Sequence, residues 1–240
     1  NIQGMDSVYE GTQGTFVAKV FGLTAAATGV NERTLTARGM VRGKDYESVI
    51  LTQHSHAKYY PGHSMLFLKL LFSLDGRKIY GAQAVGKAGA DKRIDVLATV
   101  MRLGGGVEDL KRLELAYAPP YASPKDIVNM AGFAAGNILS GLASFSEWDA
   151  IEKSRDAIVL DVREDWERKA APVPGVVAIV LGSLRDRMGE LDPNKAIIIL
   201  CAIGARAHTA ARILVQHGFR NVKIYPGGAS FYHATHSPAP

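Results

Sequence analysis

Cysteine is the rarest residue type in this chain. Among 240 residues, Cys201 is the only cysteine. A single thiol excludes a disulfide within the chain, a cysteine-rich zinc site and any redox mechanism that needs two thiols from one chain. Hydrophobic residues make up 47% and charged residues 21%, which excludes a disordered or fibrous protein. Because a lone cysteine is most often a small buried hydrophobe, any chemical role for Cys201 must be argued from its surroundings.

The chain also lacks a strong charge excess and a long apolar run. The net charge is +5 without any run of Lys and Arg, so a nucleic acid is a weak candidate for a partner. The opening residues have no basic region followed by an apolar core, as a signal peptide would. The longest uncharged stretch, residues 127–146, contains several glycines and two asparagines, and indicates a buried or interface helix. We therefore predict a cytoplasmic protein that binds neither nucleic acid nor a membrane.

Nucleotide-binding motifs are missing as well. No GxGxxG stretch occurs, which argues against a dinucleotide-binding domain. The segment GAQAVGKA at residues 81–88 nearly matches a phosphate-binding loop, but Ala88 stands where Ser or Thr would ligate Mg²⁺. We predict that this chain itself holds no cofactor and no metal.

The first half of the chain has the pattern of an α+β domain, an antiparallel sheet with helices packed on it. Strands are predicted at residues 14–20, 46–52, 64–74 and 78–85, with a hairpin turn at Asp75-Gly76. Helices are predicted at residues 23–29, 90–103, 107–113 and 125–139. The composition and the pattern of predicted strands and helices change near residues 140–144. This change predicts two domains, at residues 1–140 and 145–236.

The second half alternates strands and helices, which predicts an α/β domain with a mainly parallel sheet flanked by helices. Strands are predicted at residues 157–160, 176–180, 196–200 and 222–225, and helices at 145–154, with Ser146 as N-cap, and at 209–217. Sites in such sheets lie past the carboxyl ends of the strands. Asp161, Cys201 and the Gly227-Gly228 pair occupy such positions.

The most informative motif is the sequence AIIIL-CAIGARA-HTAARILVQHG, residues 196–218. A buried strand delivers Cys201 to a short loop that contains Gly204 and Arg206 and opens a helix. Backbone N–H groups of such a loop, beside the positive end of a helix, stabilise a thiolate. Arg206 adds a full positive charge. The pattern favours a nucleophilic cysteine that carries an anionic or persulfide adduct, with an inert buried cysteine as the alternative.

This loop resembles the active-site loop of rhodaneses, which are sulfurtransferases. Its Cys-x4-Arg spacing is one residue shorter than that of cysteine phosphatases, and a smaller cradle suits a terminal sulfur better than a phosphate. Three other elements agree in order over residues 145–236: the segment 161–164 (DVRE), Pro174-Gly175 and Gly227-Gly228. The resemblance implies that Cys201 carries the persulfide. Its binding loop would consist of Ala202, Ile203, Gly204, Ala205 and Arg206.

Two features around this loop need separate interpretation. Asp161 and Arg163 are interpreted as a structural ion pair that supports the loop. Pro172 stands where the family often has a His, and Phe231 or Tyr232 must serve where a Trp often follows the Gly-Gly pair. These departures concern the fine positioning of the site and leave the expected fold unchanged.

The first half carries a second resemblance. Its motifs, in order, are YYPG at residues 59–62, GAQ at 81–83, DKRID at 91–95, LAYAPPY at 115–121, KD at 125–126 and NMAG at 129–132. Residues 8–139 resemble the dimerisation domain of flavin-dependent pyridine-nucleotide disulfide oxidoreductases. The resemblance is to the coenzyme A-disulfide reductase and persulfide reductase branch, of which some members carry a C-terminal rhodanese domain.

This second resemblance implies a homodimer in which each subunit completes its partner's active site. Tyr60 and Tyr121 would be the catalytic tyrosines and would donate a proton or a hydrogen bond to a departing CoA thiolate. Plain packing is the alternative role for both. A complete enzyme would use FAD, NAD(P)H and CoA, so we interpret the chain as the C-terminal part of a larger reductase or a truncated product.

The function predicted for the chain itself is sulfur transfer through a Cys201 persulfide. Its partners would be sulfur donors and thiol acceptors such as CoA persulfide, polysulfide or thiosulfate. One alternative is a dimerisation module joined to a rhodanese-like binding module that turns over nothing. The other is a phosphatase or arsenate reductase that uses the same cysteine loop.

Overall fold

Two separate β-sheets organise the computed structural model, which describes residues 3–4 and 8–236. The first sheet is antiparallel throughout, with the strand order β1-β2-β5-β4-β3. Its strands are β1 (Phe16–Val20), β2 (Leu23–Gly29), β3 (Glu47–His54), β4 (Met65–Phe72) and β5 (Ile79–Gly86). The second sheet is parallel, with the order β7-β6-β8-β9. Its strands are β6 (Ile158–Asp161), β7 (Val176–Ala178), β8 (Ile197–Leu200) and β9 (Val222–Ile224).

Helices cover one face of the antiparallel sheet. These helices are α2 (Ala90–Arg102), α3 (Val107–Arg112) and α4 (Ile127–Leu139), while the short α1 (Glu32–Ala37) follows β2. On β4 the residues Leu66, Leu68 and Leu70 alternate with less buried ones, and they share one hydrophobic core with the helices. This alternation is what a strand produces when only one face is buried by helices. The predicted α+β domain with an antiparallel sheet is confirmed.

One element of the first domain differs from the prediction. Residues 23–29 form strand β2, so the prediction of a helix there is wrong. The sequence LTAAATG has good helix formers, but β2 pairs with β1 on one side and β5 on the other. Hydrogen bonding on both edges outweighs the helical preference of alanine. The small side chains also let helix α2 pack closely on this strand, where Ala26 is buried.

Helices cover both faces of the parallel sheet, as predicted for an α/β domain. They are α5 (Ala150–Lys153), α6 (Asp165–Ala170), α7 (Leu184–Arg187), α8 (Ala205–Gln216) and α9 (Gly228–His236), with two 3₁₀ turns flanking α7. Successive residues of β8 point to opposite faces. Ile197 and Ile199 pack in one cluster with α8, whereas Ile198 and Leu200 pack in another with Ala229 and Tyr232 of α9.

Two helix predictions in this domain are partly wrong. The helix predicted at residues 145–154 is only α5, because Phe145 forms a β-bridge with Ile224. Ser146 does not cap a helix: its N–H donates to the Ile224 carbonyl and its hydroxyl to the Glu147 carbonyl. The helix predicted at residues 209–217 begins earlier, at Ala205. Helices α1, α6, α7 and α9 were not predicted.

The two domains are in contact through strand β3, strand β4 and the end of the chain. The rings of Phe67 on β4 and Phe231 on α9 meet edge to face, with centroids 5.7 Å apart. Arg42 forms an ion pair with Glu147 across the same boundary, at 2.9 Å. Among the described residues, no helix is long and apolar enough to cross a membrane.

Candidate functional site

The cysteine loop lies where strand β8 meets helix α8. Cys201 follows the last residue of β8 and is 1% exposed. The Gly204 N–H donates to Cys201 Sγ at 3.1 Å, and α8 begins at the next residue. Gly204 has φ of +118°, a conformation that favours glycine and that turns its N–H back toward the sulfur. The loop therefore directs a backbone N–H and the positive end of a 12-residue helix at the same side chain.

Helix α9 holds the other side of this loop. The N–H of Ala229 donates to the Cys201 carbonyl at 2.7 Å, and that of Ser230 donates to the Ala202 carbonyl at 3.1 Å. Gly228 precedes them with φ of +67°, and a Cβ at this residue would lie 2.5 Å from the Cys201 carbonyl oxygen. Only glycine permits this approach, so the Gly227-Gly228 pair is part of the support of the cysteine loop.

Arg206 is close to the loop, but its guanidinium is engaged elsewhere. It donates two hydrogen bonds to the carboxylate of Glu167 on α6, each of 2.6 Å. These hydrogen bonds lower the pKa of Glu167 below its usual range and raise the pKa of Arg206. The positive charge near Cys201 is therefore compensated by a carboxylate. Sequence reasoning missed Glu167, whose only sequence signal is its place in the capping box with Glu164.

Asp161 and Arg163 form a buried ion pair at the end of β6. Arg163 Nη2 lies 2.7 Å from Asp161 Oδ2, and both residues are buried. Arg163 Nη1 also donates to the Ala171 carbonyl at 2.9 Å, just after α6. The pair thus anchors the start and the end of the segment that carries Glu167. Glu167 in turn holds the guanidinium of Arg206.

The remaining loop residues border a space between the two domains. Ile203, Gly204 and Ala205 line a cavity of about 250 Å³, while Ala202 is tied to α9 through its carbonyl. Strand β3 and helix α4 supply the opposite wall. His208, one turn into α8, also lines this cavity and was not identified from the sequence, where nothing distinguishes it from a surface histidine.

Tyr60 and Tyr121 form a separate, exposed group in the first domain. Their loops are joined by a hydrogen bond from the Ala57 N–H to the Pro119 carbonyl and by the hydroxyls of Tyr59 and Tyr117, which are 3.3 Å apart. In the described part of the chain, no hydrogen bond or ring contact joins either Tyr60 or Tyr121 to Cys201. The structure brings the two tyrosine loops together.

Three histidines accompany the tyrosine loops. The rings of His54 and His63 have centroids 4.5 Å apart, and the ring of His56 contacts that of Tyr60 at 5.9 Å. Burial lowers the pKa of His54, and the neighbouring charges of His63, Lys58 and His56 lower it further. Across residues 3–4 and 8–236, no group of three or more His, Cys, Asp or Glu side chains is arranged to hold a metal ion.

Comparison with known protein families assigns both halves. The family described as pyridine nucleotide-disulphide oxidoreductase, dimerisation domain, matches residues 15–126, and the family described as rhodanese-like domain matches residues 146–235. The chain joins a pyridine nucleotide-disulphide oxidoreductase dimerisation domain to a rhodanese-like domain. These matches confirm the two domain types that the sequence motifs indicated.

Known proteins are similar to part or nearly all of this chain. The chain is similar to coenzyme A disulfide reductase from Staphylococcus epidermidis, with 43% identity over 135 residues that cover 56% of this chain and 30% of the relative. The chain is similar in structure to reduced CoADR-RHD of Bacillus anthracis, with 45% identity, a TM-score of 0.86 and coverage of 95% of this chain and 40% of the other. It is also similar to an NAD-dependent persulfide reductase from A. fulgidus, with 38% identity, a TM-score of 0.84 and coverage of 96% and 41%. The dimerisation and rhodanese-like domains of this chain thus span less than half the length of these relatives.

Proposed function

We propose that the rhodanese-like domain transfers sulfane sulfur through a persulfide on Cys201. The observation that carries this proposal is the hydrogen bond from the Gly204 N–H to Cys201 Sγ, at the start of α8. A terminal sulfur added to Cys201 is anionic, and backbone N–H groups at a helix N-terminus stabilise such an anion. The loop residues 202–206 would bind it.

The environment of Arg206 favours sulfur transfer over phosphatase or arsenate reductase chemistry. Phosphate and arsenate oxyanions carry about two charges near neutral pH, and a free arginine guanidinium binds such groups in bidentate fashion. Here the Arg206 guanidinium is already paired in bidentate fashion with Glu167. A persulfide carries a single charge on one sulfur, which the loop N–H groups can satisfy.

The first domain is proposed to form a homodimer. Tyr60 and Tyr121 would reach the active site of the partner subunit, where their phenols would hydrogen-bond a departing CoA thiolate. Their exposure on adjacent loops supports this role, because a group that serves a neighbouring subunit must lie at the surface. The proposed domain limits are residues 1–140 and 145–236.

The activity proposed for the whole protein is inferred from its relatives. Proteins similar to this chain are named coenzyme A disulfide reductase and NAD-dependent persulfide reductase. We infer that a complete reductase built around this chain would draw on FAD and NAD(P)H held by other domains, and on CoA as thiol. Sulfur from Cys201 would then leave as sulfide after reduction.

The test of sulfur transfer is direct. Incubation with thiosulfate or polysulfide should add the mass of one sulfur atom to Cys201, and cyanide should then release thiocyanate. Cys201→Ser should abolish both signals without loss of folded protein. Thiocyanate formation that survives this substitution would refute the proposal, and the absence of added sulfur would favour a module that only binds.

A further inference from the structure

A polar pocket lies at the base of the loop that carries Tyr121. Residues 113–116 before this loop and residues 123–126 after it form the walls, together with Lys111, Arg112 and Asn129. The pocket has a volume of about 260 Å³ and shares no residue with the cavity between the domains. It contains Asn129 of the NMAG motif, which has no part in the functions proposed above.

Asn129 presents an unused acceptor to this pocket. The residue is 3% exposed, and its Nδ2 donates to the carbonyls of Leu110 and Leu113, each at 3.0 Å. Because both hydrogens of Nδ2 are used, the orientation of the amide is fixed and Oδ1 faces the pocket. Oδ1 accepts no hydrogen bond from any described residue, and it keeps some surface open to the pocket. An unused acceptor on a residue so deeply buried points to a ligand that donates a hydrogen bond.

The walls of the pocket offer unused hydrogen-bond donors. The backbone N–H groups of Glu114, Leu115 and Ala116 donate to no acceptor among the described residues, although all three residues line the pocket. On the opposite wall, the hydroxyl of Ser123 likewise has no hydrogen-bond partner in the part of the chain that the structure describes. Such donors bind the oxygen atoms of an anion or of water.

Positive charge prevails around the pocket. Its walls carry three basic side chains, those of Lys111, Arg112 and Lys125. Glu108 forms ion pairs with the first two, at 2.7 and 3.5 Å, and the carboxylate of Asp126 is neutralised by the buried Arg93 at 2.7 Å. Glu114 is the other acidic residue among the described residues that line the pocket. One positive charge is therefore left in excess, which favours an anionic ligand.

We propose that this pocket binds hydrogen phosphate, with Asn129 Oδ1 as the acceptor of its P–OH group and with Ser123 and the basic side chains on its other oxygens. Hydrogen phosphate combines negative charge with a hydroxyl donor, and the groups of the pocket call for both. The rest of the volume is filled by water. Since the walls are the two ends of the Tyr121 loop, a bound ion would brace this loop. The inference is independent of sulfur transfer at Cys201.

The experiment compares inorganic phosphate with sulfate by calorimetric titration of the full chain at neutral pH. Sulfate is also a tetrahedral anion, but it carries no O–H group at this pH. Phosphate should bind at least about tenfold more tightly, because sulfate would place an acceptor against Asn129 Oδ1. Equal affinity for the two anions, or no binding of phosphate at about 10 mM, would overturn the inference.

Backbone NMR of the same samples locates the bound ion. Phosphate should shift the amide resonances of residues 114–116, and sulfate at the same concentration should leave them in place. The start of α8 is the competing anion site in this chain, because a helix N-terminus also attracts phosphate. Shifts concentrated at residues 202–206 would place the ion at the cysteine loop and refute the pocket.

Substitutions test the individual groups. Ser123→Ala removes one donor and should weaken phosphate binding by about fivefold, and Arg112→Gln, which removes an exposed charge, should weaken it to a similar degree. Arg155→Gln, at an exposed position of the second domain, is the matched control and should leave the affinity unchanged. Asn129 itself is kept, because its Nδ2 hydrogen bonds also hold the end of α3. Equal weakening by Arg112→Gln and Arg155→Gln would show that only net charge acts and would refute the site.

Discussion

Single residues determine whether the cysteine loop can form. Gly228 is the clearest case, because its φ of +67° is unfavourable for other residues and its Cα faces the Cys201 carbonyl. The sequence indicated the importance of the Gly-Gly pair by resemblance, but the reason is visible only in the structure. The pair lets the first turn of α9 hydrogen-bond to the two residues that begin the loop.

Gly228→Ala is expected to destabilise the protein by about 2–4 kcal/mol, through backbone strain and the clash with the Cys201 carbonyl. The free energy of unfolding in urea measures the effect. Gly182→Ala is the matched control, since a Cβ there meets nothing within 4 Å and the residue does not have positive φ. It should change stability by less than about 0.5 kcal/mol. Equal effects of the two substitutions would show that the close approach at Gly228 is unimportant.

Among secondary-structure elements, helices α6 and α8 are tied together beside the cysteine loop. The tie is the bidentate pair of Glu167 and Arg206. The pKa of Glu167 is lowered in the folded state, first by its hydrogen bond with Arg206. The stabilisation is therefore complete above the ordinary glutamate pKa near 4.5 and is lost as pH falls through the lower folded value.

Glu167→Gln is expected to cost about 1–2 kcal/mol of unfolding free energy at pH 7, because the charged hydrogen bonds are lost. The difference from the native protein should shrink as pH falls below about 4. Urea unfolding at several pH values tests this. Glu190→Gln, which removes an exposed ion pair with Arg187, is the control and should have little effect at any pH. A constant difference across the pH range would contradict the assigned cause.

Secondary-structure elements also show where sequence reasoning succeeds and fails. The hairpin of β4 and β5 and the strand-loop-helix around Cys201 were predicted, because their signals are local: Asp75-Gly76 in one case and AIIIL before a glycine loop in the other. Strand β2 was mistaken for a helix because its conformation also depends on pairing with β5, a strand distant in sequence. Glu167 was missed for the same reason, since it meets Arg206 across 39 residues.

At the scale of the whole molecule, the interdomain cavity depends on the way the two domains meet. Neither domain sequence shows the cavity, because β3 and α4 supply one wall and the cysteine loop supplies the other. The pattern of domains was predictable, whereas the space between them depends on side-chain packing such as that of Phe67 against Phe231.

Phe231→Ala is expected to loosen this contact and reduce stability by about 1–2 kcal/mol, because an edge-to-face ring pair and its buried area are lost. Unfolding followed by fluorescence and circular dichroism should then separate toward two transitions, one for each domain. Phe16→Ala, on an exposed edge strand, is the control and should leave a single transition. Unchanged cooperativity after Phe231→Ala would show that other contacts join the domains.

Helix α9 has an implication for how this protein can be divided. The cysteine-loop motif of the sequence ends at residue 218, yet the loop is held from residues 228–230. The same helix reaches the first domain through Phe231. A domain truncated after β9 would keep the whole cysteine-loop motif but lose helix α9, which holds the loop in its shape. In this molecule the cysteine-loop motif is shorter than the segment that must be expressed intact for the loop to keep its shape.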